Sequence, residues 1–277
     1  NAGLPDPVTN TYNVLPDEFA DTCKEMVKYG AKVLGGCCGT TPAYVAKLKE
    51  MVATVNASVV KKKPRQLAVC TPLKTVVVDQ PRIVGERINP TGKKRFKQAL
   101  RDNDMNYILS QAIEQIDAGA DILDVNVGSP DIDEKEMMVK VIKALQAIVD
   151  VPLQIDSTKP EVLEAALRVY NGKPIVNSVN GEEEVLDTIL PIVAKYGGAV
   201  IGLALDENGI PPTAEGRVEI AKRIRDKAMS YGIPKEDIII DCLTLTVSAE
   251  QKAAAETLKA MNIVKNELGL RTVLGVS

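Results

Sequence analysis

The sequence predicts an α/β protein whose larger part, residues 81–277, is a parallel (β/α)8 barrel. Three observations predict it. From Pro81 onward, short apolar runs alternate with segments of helical periodicity, the pattern of a parallel sheet with crossover helices. The apolar runs are continuous, as expected of strands buried on both faces. Nearly every run also ends in small polar residues. PLQID closes on Asp156-Ser157-Thr158, and PIVNS continues from Asn177-Ser178 to Asn180. A barrel shows its polar groups at the C-terminal ends of its strands, so this recurrence favours a barrel over a doubly wound sheet.

The chain opens on an irregular stretch, NAGLPDPVTN, rich in turn formers. A helix is expected from Pro16 to Tyr29, with Phe19, Cys23, Met26 and Val27 on one face and Gly30 as its stop. Ala31–Leu34 is a short strand candidate that runs into Gly35-Gly36-Cys37-Cys38-Gly39-Thr40-Thr41-Pro42. A second helix is expected from Pro42 to Val55, with Val45, Leu48, Met51 and Val52 on one face. Residues 59–80 read as a linker, with the basic run Lys61-Lys62-Lys63 near its start, although Val76–Val78 could form a short strand or plug. The barrel strands are expected at Ile83–Ile88, Ala120–Val127, Val151–Ile155, Pro174–Val179, Ala199–Leu205, Asp237–Leu243 and Thr272–Val276. Helical spacing lies between them, as in Ile108, Leu109, Ala112, Ile113 and Ile116, and two long helices begin near Ala214 and Ser248. That makes seven strands; the eighth unit is expected to be missing and the chain to be a piece of a longer protein.

Composition narrows the function. The net charge is −3 and there is no Trp and only two Phe, so neither a nucleic-acid surface nor base stacking is expected. No apolar run approaches the ~20 residues of a membrane span, and no signal peptide is visible. Five Cys, an odd number with two adjacent, fit a reducing cytoplasm better than a disulfide scaffold. There is no His. That removes the commonest general base and every His-based triad.

The chemistry must therefore come from carboxylates, amides, thiolates or a cofactor. The strand ends supply Glu86 and Asn89 after the first strand, Asp124 and Asn126 on the second, then Asp156, Asn177 and Asp241. Such a set can hold a hard cation such as Mg2+. It can equally bind a planar heterocycle rich in N–H donors, because a carboxylate accepts paired donors and Asn offers both a donor and an acceptor. Asp124, inside its strand, reads first as a structural residue. Cys37 and Cys38 lie either in a tight turn as small buried hydrophobes or in a zinc site needing further ligands.

Two sets of motifs resemble known families. GGCCGTTP at 35–42, preceded by NAGLP, resembles the end of the homocysteine-binding barrel of homocysteine methyltransferases. The resemblance implies that residues 1–58 are the C-terminal remnant of such a barrel. In that family two adjacent Cys and an earlier third one bind Zn2+, which activates the homocysteine thiol. Cys37 and Cys38 match the adjacent pair, and the third ligand is expected to be absent from this chain. GERINPTG at 85–92, DVNVG at 124–128, IDST at 155–158, NSVNG at 177–181 and IDCLTL at 240–245 resemble the pterin-binding barrels of corrinoid methyltransferases and dihydropteroate synthases.

In that second group the residues matching Asp156, Asn177 and Asp241 hold the pterin ring. Glu86, Asn89, Gly92 and Asn126 match positions bordering it. Asp156 and Asn177 are the positions expected to support the chemistry. GERIN together with GGCCGT favours the cobalamin-dependent methionine synthase family. That implies transfer of the N5-methyl of 5-methyltetrahydrofolate to cob(I)alamin, carried by another domain, and onward to homocysteine. Alternatives are a methyltransferase acting on a corrinoid iron–sulfur protein, a dihydropteroate synthase, and a folate-binding module without turnover.

Overall fold

The computed structural model describes residues 1–56, 64–244 and 251–275. It falls into two units, Asn1–Pro64 and Arg65–Ser277.

In the first unit, Pro at N1 starts both helices, α1 (Pro16–Lys28) and α2 (Pro42–Val52). They bury Phe19, Ala20, Cys23, Tyr44, Leu48 and Met51 against each other and Ala2. Phe19 and Tyr44 meet edge to face, with ring centroids 5.6 Å apart. The second helix ends earlier than expected, and its buried face keeps Leu48 and Met51 of the four residues expected there. Val45 and Val52 are exposed, and Tyr44 takes their place. Ala31–Leu34 forms no strand. A strand needs a neighbour for its backbone groups, and Val33 instead stands 93% exposed.

The second unit opens with an antiparallel hairpin, β1 (Ala68–Cys70) and β2 (Thr75–Val77). It lies within the segment expected to be a connector. Lys61–Lys63 lies outside the described residues. The hairpin buries Leu67, Val69 and Val76 in one cluster with Ile122, Ile175, Ala199, Ile201 and Ile239 of the barrel strands. Tyr170 fastens it, donating its hydroxyl to the Cys70 carbonyl at 3.0 Å and accepting from the Leu153 N–H at 3.3 Å. Cys70 and Lys173 also exchange backbone hydrogen bonds of 3.0 Å. Gly172 permits this approach, because its φ is +136° and a Cβ there would strike the Cys70 carbonyl.

Seven strands follow: β3 (Val84–Ile88), β4 (Ile122–Val125), β5 (Leu153–Asp156), β6 (Ile175–Val179), β7 (Ala199–Leu203), β8 (Ile238–Asp241) and β9 (Arg271–Val273). They pair in sequence order, all parallel. The sheet is curled. A single cavity of about 470 Å3 is lined by residues of all seven strands, among them Val84, Ile122, Gln154, Ile175, Ile201, Ile239 and Val273. In a flat sheet the outer two of those strands would stand ~29 Å apart at the usual ~4.8 Å spacing. This is the predicted barrel architecture.

Helices α3 (Lys94–Asp102) and α4 (Met105–Asp117) connect β3 to β4. One α-helix follows each of β4 to β8: α5 (Glu134–Ile148), α6 (Pro160–Val169), α7 (Glu183–Tyr196), α8 (Ala214–Ser230) and α9 (Gln251–Asn266). Side-chain caps start several of them. Asp133 accepts from the Glu136 N–H at 2.9 Å, and Thr213 accepts from the Gly216 N–H at 3.2 Å. Helix α3 was not expected. Its burial rests on Phe96, Ala99 and Leu100 alone, within a run of charged residues. Ser248, where the last long helix was expected to start, lies outside the described residues.

Alternation along the strands builds two separate cores. Leu123, Val125, Ile155, Val176, Val200 and Ile240 face the helices and join the large cluster with Ile108, Val141, Leu145, Leu163, Leu186 and Ile224. The residues between them face the barrel interior. At the N-terminal end of the strands the interior is largely aliphatic, and the hairpin residues Leu67, Val69 and Val76 pack into it.

Candidate functional site

Following the inward positions along β4, β6 and β8 leads from apolar to polar, and on β5 both inward positions are polar. Strand β4 runs Ile122, Asp124 and then Asn126 just beyond its end. Strand β5 runs Gln154, Asp156; β6 runs Ile175, Asn177; and β8 runs Ile239, Asp241. The sequence thus places a polar layer at the C-terminal mouth of the barrel, above an aliphatic floor.

Asp124, only 2% exposed, sits lowest in that layer. Its Oδ1 accepts from Gln154 Nε2 at 2.6 Å and from Asn177 Nδ2 at 3.2 Å. Burial, and then the neighbouring Asp156 carboxylate, push its pKa up to about 7. Above it, Asp156 Oδ2 accepts from Asn126 Nδ2 at 3.0 Å, while Asn126 Oδ1 accepts from the Gly128 N–H at 2.8 Å. Asp156 is raised by burial and by the charges of Glu86 and Glu134, against the Asn126 hydrogen bond. Asp156 and Asn177 are register partners across β5 and β6. The Asn177 carbonyl accepts from the Ser157 N–H at 3.0 Å. Asn126, Asp124, Asp156 and Asn177 thus form one connected group.

Asp241 occupies the same end of the barrel but hydrogen-bonds within its own turn. Its Oδ1 accepts from the Leu243 N–H at 2.7 Å. Burial raises its pKa. Glu86 is an exposed partner at the rim. It pairs with Asn89 side chain to side chain and with Lys93 Nζ at 3.1 Å. Asn89 is buried and caps the Thr91 N–H at 2.8 Å. Gly92 has a φ of +70°, a turn conformation that suits glycine, and contributes only backbone to the rim.

Two polar residues of this end were not singled out beforehand. Gln154 holds Asp124. Glu134, at the start of α5, accepts from Ser157 Oγ at 2.6 Å and pairs with Lys159 Nζ at 2.9 Å. A Gln within an apolar run and an Asp-Glu pair opening a helix are the signals that mark them.

In the first unit Cys37 and Cys38 are exposed, their sulfurs 3.8 Å apart. The Cys38 backbone N–H holds the Cys37 thiol below the usual thiol range. Gly39, at φ +79°, lets the loop turn where a Cβ would run into the Tyr12 ring. Among the described residues no group of three or more His, Cys, Asp or Glu is arranged to hold a metal ion. Cys37 and Cys38 on their own make no such group.

The family model described as pterin binding enzyme matches residues 85–277, and the chain belongs to that family. A second model, homocysteine S-methyltransferase, matches residues 1–52. Over its whole length the chain is 33% identical to the methionine synthase of Mycobacterium leprae and 32% identical to that of Mycobacterium tuberculosis. It spans about a quarter of the length of these curated relatives, 25% in each case. Among solved structures, the dihydropteroate synthase of Xanthomonas albilineans with 4-aminobenzoic acid superposes with a TM-score of 0.60 at 20% identity, covering 76% of this chain and 77% of that one. The Thermus thermophilus enzyme gives 0.56 at 23% identity, covering 76% and 78%. These two likenesses carry the barrel fold. No helix among the described residues is long and apolar enough to cross a membrane.

Proposed function

We propose that the barrel binds 5-methyltetrahydrofolate at its mouth and presents the N5-methyl group for transfer to a cobalamin carried on another domain, in the synthesis of methionine from homocysteine. The observation that carries this reading is the polar layer of Asp156, Asn177 and Asp241 on the inner face of a pterin-family barrel. Asp156 and Asp241 each have one oxygen engaged by the protein and one without a protein donor among the described residues. A free carboxylate oxygen accepts N–H donors of an amino-pyrimidine edge, and the bond is stronger for being charge-assisted. The Asn177 amide donates downward to Asp124, so its carbonyl oxygen is turned to the ligand side.

These residues bind and orient. In the reaction the N5–CH3 bond breaks and its electron pair stays on N5. An amine leaves only when N5 holds a proton. The acidic mouth, with Glu86, Asp156 and Asp241, favours that protonated form by electrostatics. Holding the pterin in one orientation supplies most of the remaining help. A docked corrinoid supplies the nucleophile that accepts the methyl group. The residue 1–52 match and the exposed Cys37–Cys38 pair support a homocysteine-binding role for the first unit, with zinc requiring at least one further ligand. Free cysteines throughout suit a reducing cytoplasm.

The test is a methyl-transfer assay of this chain with 5-methyltetrahydrofolate and free cob(I)alamin. Turnover that falls in Asn177→Ala is expected. Saturable folate binding without turnover would make the barrel a binding module, and the methyltransferase reading would fall.

A further inference from the structure

Among the described residues the largest fully buried side chain is a charged one, Arg217 on α8, at 1% exposure. It lies on the buried stripe of that helix with Ala214, Val218 and Ala221. Among the described residues it pairs with no carboxylate. A buried cation without a carboxylate partner is costly unless hydrogen bonds offset the lost hydration. Here Nε and Nη1 find oxygen partners in three separate elements. Nε donates to the Pro211 carbonyl at 2.9 Å, in the loop after β7. Nη1 donates to the carbonyls of Cys242 and Leu243, both at 2.9 Å, and to Thr257 Oγ1 on α9 at 2.7 Å.

The two carbonyls belong to the turn that follows Asp241. Leu243 has φ +60°, a conformation a branched residue adopts only when its surroundings enforce it. Its carbonyl is gripped by Arg217 and lies 3.0 Å from the Thr257 hydroxyl. Its N–H points the other way, to Asp241 Oδ1 at 2.7 Å. The clamp on one side of Leu243 thus determines the hydrogen bond on the other.

We infer that Arg217 is a positioning residue for ligand binding: it holds the Cys242–Leu243 turn so that the Leu243 N–H occupies one oxygen of Asp241 and leaves the other facing the barrel mouth. It does not touch the ligand. This rests on the reading of the mouth as a reduced-folate site. Lysine cannot replace it, because one ammonium cannot span carbonyls in two loops and a hydroxyl on a helix as the planar guanidinium does.

The experiment is calorimetric titration with 5-methyltetrahydrofolate of the wild-type chain, Arg217→Lys, Thr257→Val, Asp241→Asn and the two double variants with Asp241→Asn. Arg217→Lys is expected to weaken binding ~10-fold and Thr257→Val ~3-fold, the scale of one or two lost hydrogen bonds. In the Asp241→Asn background neither change should weaken binding further, because both act through Asp241. A role confined to stability predicts wild-type affinity in the folded variants, and an effect on the site independent of Asp241 predicts losses that multiply. Thr257→Val removes a single hydroxyl, so it carries the test if Arg217→Lys does not fold. Multiplied losses, or wild-type affinity in the folded variants, would overturn the inference. A folded wild-type chain that binds no folate counts instead against the proposed function.

Discussion

Asn126 donates from Nδ2 to one oxygen of Asp156 at 3.0 Å, and the other oxygen of Asp156 has no protein donor among the described residues. One strand end thus orients the carboxylate of the next. Removing Asn126 should loosen that orientation and raise the already raised Asp156 pKa further, since this hydrogen bond opposes the rise. Asn126→Ala is expected to weaken 5-methyltetrahydrofolate binding by about 1 kcal/mol. Its acid limb should also move to higher pH, because protonated Asp156 loses an acceptor. Affinity measured against pH checks both; an unshifted limb would separate Asn126 from Asp156.

Direct loss of a ligand contact should cost more. Asp156→Ala and Asn177→Ala are each expected to weaken folate binding by about 1.5–3 kcal/mol, the range for hydrogen bonds to charged groups. Unchanged affinity in both variants would remove them from the site.

Asp124 predicts a pH dependence of stability. Its pKa rises from 3.8 to about 7 on folding, so the folded chain holds a proton that the unfolded chain releases. The associated stability is fully present below pH ~4 and is lost as pH rises toward about 7, on the order of 4 kcal/mol in all. Asp156 and Asp241, also raised by burial, act with the same sign. Asp124→Asn keeps an acceptor for Gln154 and Asn177 but cannot ionise. Denaturant midpoints at pH 5 and pH 8 should therefore differ less in this variant than in the wild type. An equal difference would show that Asp124 does not carry the slope.

The hairpin below the barrel should matter for stability and not for ligand affinity. Leu67, 1% exposed, packs into the inner floor with Ile122 and Ile239. Leu67→Ala is expected to destabilise the barrel by about 2–4 kcal/mol through transfer and cavity terms. Folate affinity of the folded fraction should stay within about twofold; a tenfold loss would tie the floor to the mouth.

The strands and the polar residues at their ends were legible because the two alternate faces of each strand carry different demands. Outer residues such as Leu123 and Ile155 must meet helices, and inner ones such as Asp124 and Asp156 can be polar only where the barrel opens. Asp124 was read as structural. The structure puts it beneath Asn177, linked to the mouth by one hydrogen bond, a relation between strands that no local pattern encodes. Of the hairpin only the second strand was anticipated, as a possible short strand at Val76–Val78; β1 escaped because three-residue strands barely register as a period, and α3 because charged residues surround its short apolar face. Ala31–Leu34 looked like a strand by composition, but pairing depends on a neighbour. Arg217 left a faint signal, a lone charge on the apolar stripe of α8, whose partners are backbone carbonyls invisible to sequence.

The measurement that bears most directly on the central claim is calorimetric titration of this chain with 5-methyltetrahydrofolate, without added metal, alongside circular dichroism of the same sample. Saturable binding at one site per chain, lost or sharply weakened in Asp156→Ala, is predicted. A folded chain with an α/β spectrum that binds no folate would contradict the account.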